Sequence, residues 1–195
     1  MVIVDVDDCL LQWSTSFKEF CTKAGYGFSK DWPDAYGLKD WLVPAVDDLQ
    51  INQLIRDFNG SEYFASLVPI EGTEYLEQFR SLGIHAITAC GKRNESRRLR
   101  NLDKYFPGVL ASINCIELGT PKIDYVINLL SANGVDAEDA TFIDDHINNV
   151  IDAYNLGIKS ILFEQPHNKN HKVPNGIIRV NSWYKIVEIL KGKAL

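Results

Sequence analysis

The chain has 195 residues, of which 46% are hydrophobic and 24% charged, and its 26 acidic against 20 basic side chains give a formal net charge of −6. This length and composition predict a globular protein with one core, or with one core and a modest insert. The acidic excess argues against general nucleic-acid binding, which needs a basic face. No apolar run approaches the roughly 20 residues that span a bilayer, so we expect no membrane segment.

Localisation is indicated by the first residues and by the cysteines. A buried strand is predicted from residue 2 onward, so we expect no signal or transit peptide. The four cysteines, at positions 9, 21, 90 and 115, are widely spaced and form no Cys-x-x-Cys pair. They predict a reduced, cytoplasmic protein in which the cysteines are buried rather than metal-ligating.

The predicted first strand ends in acidic residues. Val2 to Val6 is rich in β-branched residues, which favours a strand buried on both faces of a sheet, and Asp5, Asp7 and Asp8 come at its end. Ligands of α/β proteins bind at the carboxyl ends of strands. Asp5 and Asp7 leave a strand on the same side and repel each other unless a cation or a proton lies between them. The pattern favours a magnesium-dependent phosphoryl-transfer centre, and the alternative is that Asp7 and Asp8 only form a turn that caps the next helix.

Two amphipathic patterns follow the acidic turn. The first ends near Gly25 or Gly27, an irregular stretch covers 26–44, and the second runs from Val46 to Phe58 and is stopped by Asn59-Gly60. Residues 14–68 are therefore predicted to be a mostly helical insert, with a core domain made of residues 1–13 and 69–195.

Strands and helices alternate from residue 69 onward. This alternation predicts an α/β fold with a doubly wound parallel sheet and right-handed connections. The predicted strands are 84–88, a segment within 109–116, 140–143, 160–163 and 177–180, and the predicted helices are 73–81, 94–105, 121–130, 148–155 and 183–190.

Three further polar groups lie at predicted strand ends. A hydroxyl at Thr88 suits a phosphate oxygen, although it also suits a helix or turn cap. A lysine in the first turn of a helix is unfavourable against the helix dipole, so Lys122 is predicted to reach an anion, the alternative being a solvated side chain. Asp144 and Asp145 can complete an oxygen shell for Mg²⁺ that begins with Asp5. The alternative is helix capping, which explains Asp145 or Asn148 but does not explain why Asp144 and Asp145 are both acidic.

Asp5-x-Asp7, Thr88, Lys122 and Asp144-Asp145 resemble, in order and position, the four motifs of the haloacid dehalogenase superfamily. The resemblance covers essentially the whole chain, and it implies a Rossmann-like core with a small helical cap of the C1 type inserted after the first strand. Asp7 favours the phosphatase branch. A closer likeness is to the 5'(3')-deoxyribonucleotidases. The segments that carry it are Gly60 to Gly72, Pro166-His167-Asn168, Arg179 and Ser182-Trp183.

The resemblance implies a two-step hydrolysis. Asp5 attacks phosphorus and forms an aspartyl phosphate, and Asp7 protonates the leaving oxygen and then activates water. Mg²⁺ would be held by Asp5, the backbone carbonyl of Asp7 and Asp145. The non-transferred oxygens would be held by Thr88, the N–H of Ala89 and Lys122. Asp144 would orient Lys122 or a water molecule.

The substrate is predicted from the aromatic residues of the insert. Trp13, Trp41 and Phe64 are candidates to stack a base, and otherwise form the core of the insert. We therefore expect a 5'-nucleotidase acting on deoxyribo- or ribonucleoside monophosphates. The alternatives are a sugar-phosphate or nucleic-acid 3'-end phosphatase, or a binding module without activity, which the clustered acids argue against. The sequence leaves the oligomeric state open, a homodimer included.

The basic residues after Thr88 have two interpretations. Lys92, Arg93, Arg97 and Arg98 either attract a phosphate-rich substrate or form a solvated helix face.

Overall fold

The structure is a computed structural model that describes residues 1–29 and 37–192. Part of the stretch predicted to be irregular, residues 30–36 with Trp32 and Pro33, lies outside the described residues. The strands are β1 (Val2–Asp5), β2 (Gly27–Phe28), β3 (Leu42–Val43), β4 (Ile84–Thr88), β5 (Leu110–Cys115), β6 (Thr141–Asp144), β7 (Lys159–Phe163) and β8 (Ile178–Val180). The α-helices are α1 (Trp13–Lys23), α2 (Asp48–Asn59), α3 (Glu62–Ala65), α4 (Glu95–Tyr105), α5 (Lys122–Asn133), α6 (Ile147–Asn155) and α7 (Trp183–Lys191).

Six strands form one parallel sheet in the order β5-β4-β1-β6-β7-β8, which confirms the predicted α/β architecture. The first strand lies near the centre, between β4 and β6. The carboxyl ends of these three strands meet at one edge of the sheet. The order reverses beside β1, the place where open α/β sheets bind ligands.

Alternating residues of β1 face two separate hydrophobic clusters. Ile3 belongs to the cluster that includes Val126 of α5 and Val150 of α6. Val2 and Val4 belong to the cluster on the other side, with helices α4 and α7. Helices therefore cover both faces, which explains why the strand is apolar along its whole length.

The segment after Gly72 differs from the prediction. It is a 3₁₀ helix over Thr73–Leu82, interrupted at Phe79, where an α-helix was predicted. Thr73, Leu76 and Phe79 are buried and three residues apart, the repeat of a 3₁₀ helix, whose side chains at i and i+3 share one face. Tyr75, which does not belong to this repeat, is exposed.

Helices α1, α2 and α3 lie in the segment between β1 and residue 69, and the antiparallel pair β2–β3 lies between α1 and α2. The two ends of this segment meet at an isolated antiparallel bridge between Leu11 and Pro69. The Gln12 N–H donates to the Val68 carbonyl and the Ile70 N–H to the Leu10 carbonyl, each at 2.9 Å. The three helices pack together through aromatic side chains, and α3 also packs on α4 of the core. The buried residues of this segment form one cluster with one face of the sheet.

Two expectations about the whole chain can be compared with the structure. Within residues 1–29 and 37–192, none of the helices has both the length and the apolar character needed to cross a bilayer. All four cysteines are buried and unpaired, as predicted.

Candidate active site

A tight turn follows β1 and presents its acids at the edge of the sheet. The Val6 carbonyl accepts the N–H groups of Leu10 and Leu11, each at 2.9 Å, and Asp8 adopts a left-handed conformation with φ 53°. The Asp8 carboxylate accepts the Ser14 N–H at 2.9 Å and the Ser14 hydroxyl, so it caps the start of α1. The capping role suggested for Asp7 and Asp8 therefore applies to Asp8.

Asp5 and Asp144 share one buried cation. The Lys122 Nζ lies 2.7 Å from Asp5 Oδ1 and 2.9 Å from Asp144 Oδ2, and all three side chains are buried. Lys122 is the first residue of α5, so its ammonium reaches back to acids at the ends of β1 and β6. This contact excludes the alternative of a solvated lysine. Burial alone would lower the pKa of Lys122, but Asp144 and Asp5 outweigh it and hold the pKa above the ordinary value.

The site carries more negative charge than its cations offset. Burial raises the pKa of Asp5 well above its ordinary value; Lys122 opposes this shift, and the carboxylates of Asp144, Asp145 and Asp7 add to it. Burial and the Asp144 charge likewise raise the pKa of Asp145. An additional cation between these carboxylates would relieve both effects.

Asp144 and Asp145 point in different directions. Asp144 is fully buried and accepts the His146 N–H at 2.7 Å and the Asn149 side chain at 3.0 Å, besides Lys122. The N-cap of α6 is His146 and not Asn148. The side-chain amide that contacts Asp144 is that of Asn149. The Oδ2 of Asp145 lies 2.8 Å from His167 Nε2. A carboxylate oxygen of Asp145 also lies within 4.8 Å of a carboxylate oxygen of Asp5.

Asp5, Asp145 and Cys9 form a group whose side chains could hold a metal ion. Their ligand atoms all lie within 4.8 Å of one another. Two carboxylates are ligands that Mg²⁺ prefers. Burial and the neighbouring carboxylates raise the pKa of the Cys9 thiol, so the sulfur stays protonated, and a neutral thiol is a poor ligand for a hard cation. The oxygen donors therefore fit Mg²⁺, and the sulfur is a neighbour rather than a ligand.

Asp7 is held by a residue that the sequence did not single out as buried. Its Oδ1 pairs with Nη2 of Arg98, and its Oδ2 accepts the Thr88 hydroxyl at 3.3 Å. Arg98 is fully buried, so the solvated-face interpretation is wrong for this residue. Asn94, the N-cap of α4, and Asn101 lie four residues before Arg98 and three after it and are also buried. Because all three side chains are polar, their helical spacing shows no apolar face in the sequence.

A cavity of about 260 Å³ is lined by Asp5, Asp7, Asp8 and Asp145, together with Lys122. Its walls include Trp13 at the start of α1, Leu38 and Trp41 from the segment between β2 and β3, and Ala89 from the turn after β4. Phe64 is fully buried and is not among the residues that line this cavity, which corrects the prediction that it stacks a base. Its ring lies instead beneath Arg98, with the guanidinium carbon 4.2 Å from the ring centroid.

The loop after β7 braces both acidic turns, a role that the sequence did not predict. The Asn168 side-chain amide donates to the Asp145 carbonyl at 2.7 Å, and the Gln165 side-chain amide donates to the Asp8 carbonyl at 2.7 Å. The Trp183 indole N–H donates to the Cys9 carbonyl at 2.7 Å. The resemblance singled out residues 166–168 and Trp183 without these contacts, and the polar pair Glu164-Gln165 directly follows a buried strand.

Several solved structures share this fold. A haloacid dehalogenase-like family hydrolase from Streptococcus pneumoniae superposes with a TM-score of 0.71 and 15% identity, over 97% of each chain. A protein proposed to be a phosphoglycolate phosphatase, from Lactobacillus delbrueckii subsp. bulgaricus, gives 0.66 and 18%, over 97% of each chain. CbbY from Rhodobacter sphaeroides, solved with xylulose-(1,5)bisphosphate, gives 0.63 and 15%, over 93% of each chain.

At these identities the likeness establishes the fold and not the activity. The chain thus has the α/β fold seen in haloacid dehalogenase superfamily hydrolases. Comparison of the sequence with family models and with curated proteins gives no match.

Proposed function

We propose that this chain is a magnesium-dependent phosphomonoester hydrolase of the haloacid dehalogenase superfamily, acting through an aspartyl phosphate on Asp5. The observation that carries the proposal is the convergence of Asp5, Asp7, Lys122 and Asp145 on one cavity at the carboxyl edge of the sheet. A purely binding role would leave the cost of this buried acidic cluster without a purpose.

The residues divide the reaction between them. An Asp5 carboxylate oxygen forms a bond to phosphorus while the bond from phosphorus to the leaving oxygen breaks, and Asp7 gives that oxygen a proton. In the second step Asp7 takes a proton from the water that hydrolyses the aspartyl phosphate. Lys122 has three N–H donors, of which Asp5 and Asp144 accept two, so one remains for a phosphate oxygen.

The other predicted groups have supporting roles. Thr88 was predicted to hold a phosphate oxygen; because its hydroxyl donates to Asp7 at 3.3 Å, we propose instead that it orients that acid. The N–H of Ala89 keeps the role of holding a phosphate oxygen. When bound by Asp5, the Asp7 carbonyl and Asp145, Mg²⁺ would offset the charge between phosphate and nucleophile. Asp144 would orient Lys122, to which it is bonded at 2.9 Å.

We propose nucleoside monophosphates as the substrate class. Trp13 and Trp41 line the same cavity as Asp5, and an aromatic wall can stack any base. The resemblance of residues 60–72 and 166–168 to the deoxyribonucleotidases supports the same class. Sugar phosphates are the second candidate, because CbbY, which shares the fold, was solved with a sugar bisphosphate.

The test is phosphate release from a panel of nucleoside monophosphates, sugar phosphates and 3'-phosphorylated oligonucleotides, each with Mg²⁺ and with EDTA. Magnesium-dependent release from nucleoside monophosphates supports the full proposal. Release only from sugar phosphates or from oligonucleotide ends keeps the chemistry and overturns the substrate. No release from any compound overturns the hydrolase proposal.

Loss of the proposed metal ligand gives a specific prediction. Asp145→Asn should raise the Mg²⁺ concentration for half-maximal activity by about 10- to 100-fold, because one anionic oxygen donor is lost. The measurement is a magnesium titration of activity, with Asp152→Asn, an exposed acid on α6, as the control. An unchanged titration would transfer the ligand role to Asp144.

Base stacking predicts a change that depends on the substrate. Trp13→Leu should raise KM for nucleoside monophosphates by roughly 5- to 150-fold, since stacking on one aromatic ring contributes about 1–3 kcal/mol per base. KM for acetyl phosphate, which has no base, should stay the same. Trp13 also stacks on Phe17, with ring centroids 4.7 Å apart, so the melting temperature of the variant is measured alongside. Equal increases for both substrates would contradict a stacking role.

A further inference from the structure

The contribution of Arg98 to the stability of the fold does not explain why its side chain is buried. Its exposed fraction is 0%, and within the described chain its Nε and Nη1 have no hydrogen-bond partner. Burying a guanidinium whose donors are only partly satisfied is costly, and a buried ion pair is weak evidence for stability. The surroundings of Arg98 point to another role.

Asp7 and Phe64 both contact the guanidinium. Its Nη2 pairs with Oδ1 of Asp7, and its central carbon lies over the ring of Phe64, 4.2 Å from the centroid. Asp7 itself remains 24% exposed and lines the cavity, so Arg98 approaches this carboxylate from the protein side. Thr88 fixes the second oxygen at 3.3 Å.

We infer that Arg98 is a positioning residue for Asp7, holding that carboxyl group in the orientation in which its proton reaches the leaving oxygen. The inference rests on the proposed function and adds a residue to it. As the bond from phosphorus to oxygen breaks, its electron pair goes to the leaving oxygen and the proton of Asp7 goes to the same atom. Phe64, from α3 of the inserted segment, holds the guanidinium in place.

Loss of a residue that positions Asp7 should have a kinetic effect that general structural damage would not produce. An alkoxide leaving group, such as a ribose oxygen, needs a proton as it departs, whereas p-nitrophenolate is stable enough to leave without one. The value of kcat/KM reports the first phosphoryl transfer, before water enters the reaction. Loss of Arg98 should therefore lower kcat/KM for an alkyl phosphate and leave that for p-nitrophenyl phosphate nearly unchanged.

The experiment compares Arg98→Met with Arg97→Met, whose residue precedes it on α4 and lines a different cavity. For Arg98→Met we expect kcat/KM to fall by about 100-fold with the best nucleoside monophosphate and by less than about 5-fold with p-nitrophenyl phosphate. Arg97→Met should change neither. Arg98→Lys, which keeps a positive charge near Asp7, should recover part of the loss.

Phe64→Leu should also lower kcat/KM with the nucleoside monophosphate, but by a smaller factor than Arg98→Met, because the charge of Arg98 remains and only the ring is lost. If Arg98→Met does not fold, as judged by its thermal unfolding, Arg98→Lys and Phe64→Leu give the same substrate comparison. Equal falls for both substrates, or no fall for either, in a wild type that hydrolyses both, would overturn the positioning role alone. A wild type inactive toward both would overturn the proposed function, and this inference with it.

Discussion

Asp5→Asn should abolish phosphate release, with kcat lower by about 10⁴-fold or more, because an amide cannot form the acyl phosphate that the proposed mechanism requires. The fold should remain intact. An amide oxygen can still accept from Lys122 and from the Val6 N–H, the two contacts that Asp5 makes at 2.7 Å each. Burial also disfavours the Asp5 charge, so replacing it with a neutral isostere costs little stability.

The measurement is phosphate release together with thermal unfolding, for wild type, Asp5→Asn and Asp139→Asn. Asp139 is an exposed acid that precedes β6 at the opposite edge of the sheet, so Asp139→Asn removes the same charge away from the site. Retained turnover in a folded Asp5→Asn variant would remove Asp5 as the nucleophile. Loss of activity in both variants would point to net charge instead.

Lys122→Met should lower both activity and stability. The substitution leaves Asp5 and Asp144 buried without their shared cation, and breaking a buried ion pair in this way typically costs about 3–5 kcal/mol. For a protein of this size that corresponds to a melting temperature lower by roughly 6–20 °C. Activity should fall by about 10²–10³-fold through loss of the donor to the phosphate oxygen.

Differential scanning calorimetry in EDTA measures the stability effect, with Lys159→Met, a half-exposed lysine at the start of β7, as the matched control. The double variant Lys122→Met/Asp144→Asn restores the charge balance and should recover part of the lost stability but none of the activity. A melting temperature unchanged in Lys122→Met would show that the pair with Asp5 and Asp144 contributes nothing to folding.

The sequence alone predicted the parallel sheet and the strand ends at which the acids lie. The reason is that these features are local: the β-branched run of residues 2–6 fixes a buried strand, and its alternation matches the two clusters that receive Ile3 and Val4. A lysine in the first turn of α5 conflicts with the helix dipole, and this conflict pointed to its contact with acids. The ends of β1, β4 and β6 had to meet at one edge once the sheet was parallel.

Only the tertiary structure decided which way each polar side chain turns. Helix α4 carries neighbouring arginines, and the sequence gives no reason for Arg98 to be buried while Arg97 is not. That choice depends on Asp7 and Phe64, which lie 91 and 34 positions away. The same holds for Asp144 and Asp145, which are adjacent in the chain but bond to Lys122 and His167 respectively. Local patterns determined where the acids and Lys122 lie. Long-range packing brought Arg98 to the site and determined which partner each polar side chain contacts.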